Sequence, residues 1–64
     1  MSMRIFINND GFIQADMNDG SIVLLARNKF DHELHRVAAY IGDVWDFAYG
    51  TQWEMLKLFN GLTS

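Results

Sequence analysis

The chain has 64 residues, no cysteine, no proline, and five Lys and Arg against eight Asp and Glu, giving a net charge of −3. Such a length accommodates one small domain, 1–64, and without Cys neither a disulfide scaffold nor a thiolate zinc site can form. A pI near 5.0 argues against direct nucleic-acid binding. No apolar run approaches the roughly 18 residues of a membrane span, so a cytoplasmic protein without a membrane partner is expected. A body of 7.4 kDa should expose about 4,200 Å² when folded and bury roughly 60% of its surface. Half of the residues are hydrophobic, a high share for so small a body, and self-association or a permanent partner is therefore expected.

The N-terminal part reads as strands. Met3-Arg4-Ile5-Phe6-Ile7 and Phe12-Ile13-Gln14-Ala15-Asp16-Met17 alternate between apolar and other residues, and Asn9-Asp10-Gly11 between them recurs as Asn18-Asp19-Gly20. A three-residue loop with a left-handed glycine pairs Ile7 with Ile13, Ile5 with Ala15 and Met3 with Met17, and sets Arg4 opposite Asp16 as an ion pair. The same loop at the repeat aligns Ala15 with Val23 and Ile13 with Leu25. One face of this three-stranded meander then holds Met3, Ile5, Ile7, Ile13, Ala15, Met17, Val23 and Leu25 and should be the core. The other carries Arg4, Phe6, Phe12, Gln14, Asp16, Ile22 and Leu24, a mixed surface where a solvated face is normally polar.

Beyond Asn28, a suitable N-cap, apolar residues fall at Phe30, Leu34, Val37, Ala38, Ile41, Val44, Trp45 and Ala48, a helical stripe over five turns. This predicts one long helix, bent or split at Gly42 and ended by Gly50. Thr51 and Glu54 form a capping box for a short helix with Trp53, Leu56 and Phe59 inward. The expected fold is α+β in the order β-β-β-α-α, a three-stranded antiparallel meander with both helices packed on one face.

Catalytic constellations are sparse. His32 and His35 on one helical face are the only candidate metal pair, and they lack the spacing of zinc proteases and a third His or Cys, so metal-dependent activity there is a remote alternative. Asp43, Asp46 and Glu54 at a helix junction would be the minimum for acid–base chemistry. No phosphate-binding glycine loop opens a helix. The chain is expected to be no enzyme and to need neither cofactor nor metal.

Contact surfaces are the better-supplied feature. The outer sheet face offers Phe6, Phe12, Ile22 and Leu24, and a second stripe on the long helix offers Glu33, Arg36, Tyr40, Asp43 and Phe47. Aromatics and Arg mixed with charges are the composition of interface anchors. The expected function is a non-catalytic protein-binding module, a small inhibitor or adaptor acting on a larger protein with a basic surface, toward which Glu33, Asp43 and Asp46 steer it. Size and composition alone make it analogous to phage and mobile-element inhibitors, anti-CRISPR proteins among them. The alternative is an obligate homodimer that associates through its sheet, because Ile22-Val23-Leu24-Leu25-Ala26 is apolar on both sides.

Overall fold

The computed structural model describes residues 3–28, 30 and 33–64. Strands β1 (Arg4–Ile7), β2 (Ile13–Asp16), β3 (Ile22–Arg27), β4 (His35–Ile41) and β5 (Val44–Gly50) precede one helix, α1 (Gln52–Thr63). They form one antiparallel sheet in chain order, β1-β2-β3-β4-β5.

The two Asn-Asp-Gly loops set the register of the first three strands. Asn8 donates its N–H to the Phe12 carbonyl at 2.9 Å, and Gly11, in the left-handed region, donates back to the Asn8 carbonyl at 3.0 Å. The second loop repeats the pattern between Met17 and Ser21. Ile7 therefore faces Ile13, Ile5 faces Ala15, Ala15 faces Val23 and Ile13 faces Leu25. Arg4 faces Asp16 across the ladder. Its guanidinium lies over the Phe6 ring, 4.9 Å from the centroid, while Asp16 accepts from the Gln14 amide at 2.8 Å, so the two do not form the expected ion pair.

The expected order β-β-β-α-α is wrong in its second half. The segment read as a long helix is the hairpin β4–β5, turned at Gly42-Asp43. Both turn residues have positive φ, 60° for Gly42 and 64° for Asp43, as the mirror-image turn that matches strand twist requires. The helical stripe fails because β4 is apolar on both sides, so its residues satisfy a period of 3.6 and a period of 2 equally well. Gly42 neither bends nor splits a helix; it reverses the chain. A methyl group at Gly42 would meet nothing within 4 Å, so Gly42→Ala tests the backbone alone. It should cost about 1–2 kcal/mol and lower Tm by roughly 4–16 °C in a thermal melt. An unchanged Tm would mean that the turn adopts another geometry.

The helix starts where the capping box places it. Thr51 accepts from the Glu54 N–H at 3.2 Å, and the Glu54 carboxylate accepts from the Thr51 N–H at 3.0 Å. That backbone bond, and then the Thr51 hydroxyl, hold the Glu54 carboxyl below its ordinary value of 4.5. Because the folded value lies below the unfolded one, the stabilisation is whole above about pH 4.5 and fades as pH falls through the folded value. In thermal melts from pH 6 down to pH 2.5, the advantage of the wild type over Glu54→Gln should shrink on the acid side. A pH-independent gap would remove the carboxylate from the cap.

Packing corrects two further expectations. The core is Ala15, Val23, Leu25 and Val37 of the sheet under Met55 and Phe59 of α1, with Met17, Ala48 and Leu56 against it. The helix lies over β3, β4 and β5. Met3, Ile5, Ile7 and Ile13 share the core-side face but lie outside its cover and stay exposed, Ile7 at 73%. On α1 the inward residues are Met55, Phe59 and Thr63, whereas Trp53, expected inward, is 79% exposed.

Candidate functional site: the open face of the sheet

Strand alternation sends every second side chain away from α1, and the register stacks them in rows. One row runs Arg4, Asp16, Ile22, Tyr40, Trp45, and the next runs Phe6, Gln14, Leu24, Ala38, Phe47. At one end of the face Phe12, Ala26, Arg36 and Tyr49 line a cavity of about 220 Å³ together with Phe30 and Leu34 from the connection between β3 and β4. Among the described residues no element covers this face.

The two separate patches expected from sequence are one surface. Phe6 comes from β1, Phe12 from the residue before β2, Ile22 and Leu24 from β3, and Arg36, Tyr40 and Phe47 from the hairpin that replaces the long helix, all on the same side. Asp43 stands at the tip of the hairpin, where its carboxylate accepts the Tyr40 hydroxyl at 3.0 Å. Glu33 is exposed just before β4, at the margin of the sheet. Trp45 and Tyr49, which the helical reading leaves out of the patch, belong to it.

Ring contacts organise the surface. Tyr40 and Trp45 lie 5.1 Å apart and tilted, and Trp45 stacks near-parallel on Phe47 at 6.2 Å. The Arg36 guanidinium sits between two rings, 5.9 Å from the centroid of Phe12 and 5.7 Å from that of Phe47. Such contacts restrict the rings and the cation to a fixed arrangement on the face. Phe47 nonetheless remains 55% exposed. The folded chain exposes 4809 Å², about 600 Å² more than a body of its mass ordinarily does.

The chemical alternatives lose their geometry. His35 is the first residue of β4 and is buried, with Nδ1 lacking a hydrogen-bond partner among the described residues, so the helical face that would align it with His32 does not exist. His32 itself, like Asp31, lies outside the described residues. Among the described residues no group of three or more His, Cys, Asp or Glu is placed to hold a metal ion. Asp43 and Glu54 stand at opposite ends of β5, roughly 23 Å apart at 3.3 Å per residue, and Asp46 points to the helix side of the sheet. The three carboxylates cannot act on one substrate atom.

Comparison with protein-family models, with curated proteins and with solved structures finds no match for the chain. Among the described residues no helix is long and apolar enough to cross a membrane.

Proposed function

We propose that the chain is a non-catalytic binding module, a small inhibitor or adaptor that holds a larger protein through the open face of its sheet. One observation carries this reading. Aromatic and apolar side chains from β1, β3, β4 and β5 and from Phe12 just before β2, with Arg4 and Arg36 among them, converge on a face that nothing among the described residues covers. Exposed apolar surface gathered in one place is rare on soluble monomers unless it is used. Rigid aromatics with interleaved arginine are also what energetic centres of interfaces are built from. In this reading Leu24 and Phe47, on either side of the already buried Ala38, are dried by the partner, and Phe6, Phe12, Tyr40, Trp45 and Tyr49 surround them. Asp43 and Glu33 at the margin, with the net charge of −3, draw the module toward a basic partner surface.

The test is affinity capture with the folded chain and two face variants, Leu24→Asp and Phe6→Ala, beside Trp53→Ala on the outer side of the helix. The reading expects a partner retained by wild type and Trp53→Ala and lost with Leu24→Asp. A partner indifferent to both face variants, or none at all, would overturn it.

A further inference from the structure

The sheet has two edges, and they differ. β1 is four residues long, whereas β5 runs seven residues, Val44–Gly50, in unbroken register with β4. Natural sheets blunt a long edge with proline, lysine, inward-pointing charges, a bulge or a covering element, and of these β5 carries only Asp46 on the helix side. β5 contains no Pro and no Lys, and among the described residues nothing lies along it.

The hairpin turn decides which backbone groups are free. In a two-residue turn the flanking residues, here Ile41 and Val44, exchange hydrogen bonds with each other. Alternation then commits the backbone of Asp46, Ala48 and Gly50 to β4. The N–H and C=O groups of Trp45, Phe47 and Tyr49 point outward, and the side chains of these three residues lie on the open face.

We propose that β5 pairs antiparallel with β5 of a second copy about a two-fold axis at Phe47, joining two sheets into one of ten strands. The occupant is a second copy because the edge is complementary to itself. Centred on Phe47, the outward groups of one strand meet the outward groups of the other. Trp45 then faces Tyr49 of the second copy, Phe47 faces its own counterpart, and an aromatic ladder of cross-strand pairs forms. On the helix side Asp46 falls opposite Ala48 of the second copy. A register centred on Asp46 instead would set two carboxylates against each other and turn committed backbone groups toward the axis. Pairing leaves the remainder of each open face uncovered, so two binding surfaces lie side by side on one sheet.

The experiment combines light scattering from about 1 µM to 1 mM with amide exchange on the same samples, for the wild type and for a synthetic chain carrying N-methyl-Phe47. The expected result is a dimer whose Trp45, Phe47 and Tyr49 amides exchange at least roughly tenfold more slowly as it forms. The N-methylated chain should be a monomer with an unchanged circular dichroism spectrum, since the amide it loses serves no bond within the chain. A monomer up to 1 mM would overturn the proposal, and so would a dimer in which those three amides stay open. The second of these outcomes would place the contact on the face instead of the edge. Exchange on the wild type decides the matter even if the N-methylated chain fails to fold. Because Leu24 lies on the central strand, Leu24→Asp should lose the larger partner and keep the dimer mass, so this inference and the binding reading fail separately.

Discussion

Phe59→Ala is expected to leave the chain largely unfolded at 25 °C. Phe59 is 4% exposed and joins α1 to the sheet beside Met55. Truncating a buried Phe costs about 3–5 kcal/mol, part of it from the cavity left behind. A chain of this length has a total stability of about 3–10 kcal/mol, so the loss is comparable with the whole. The neighbouring aromatic supplies the contrast. Trp53 is larger but exposed, and Trp53→Ala should change stability by no more than about 0.5 kcal/mol. Urea unfolding followed by circular dichroism checks both variants. A Phe59→Ala chain melting within a few degrees of the wild type would mean that the helix is not docked as described.

On the open face the largest effect belongs to Leu24→Asp, which should weaken binding of the proposed larger partner about 100-fold or more. Leu24 occupies the middle strand of five, between Gln14 and Ala38, and anything seated on the face covers it. A carboxylate in place of this apolar side chain loses its water on binding, a penalty in the range of 2–5 kcal/mol, and 100-fold corresponds to about 2.7 kcal/mol. Phe6, on the edge strand β1, should cost less, about 1 kcal/mol or somewhat more, when cut to alanine. Titration calorimetry on the captured partner reads both. Equal affinities for the wild type and Leu24→Asp would move the contact off this face.

The first half of the fold is legible because each Asn-Asp-Gly loop admits one side-chain-sorting register, and the strands on either side alternate. The second half resists because Val37, Ala38 and Ala39 are consecutive and all buried, so the apolar pattern has no phase of its own. Two signals in the sequence distinguish the hairpin. Gly42-Asp43 is a dipeptide suited to a two-residue turn, and Trp45, Phe47 and Tyr49 recur at every second position, as aromatics on a strand face do. The surface residues fare better than the element that was expected to carry them. Arg36, Tyr40 and Phe47 share a side in a helix by the 3.6 period and in the hairpin by alternation, so they reach the same patch by either route. Trp45 does not, because a helix turns it away from Tyr40 while antiparallel pairing sets the two opposite each other. The bareness of Ile5 and Ile7 is also invisible in sequence, since it depends on which strands a single helix lies across.

Strand order that follows chain order has a kinetic consequence. Three of the four hairpins, β1–β2, β2–β3 and β4–β5, close over two or three loop residues, whereas β3 and β4 are joined through residues 28–34; each can form without waiting for any other part of the chain, within microseconds for an isolated hairpin. The loops therefore impose little closure entropy, and contact order is low for a body so rich in sheet. One step is long-range: Phe59 and Met55 must return across two strands to reach Val23 and Leu25. The rate-limiting event should accordingly be the docking of α1 on a meander that is already zipped, and until it docks both faces of that meander are open to water and to other chains.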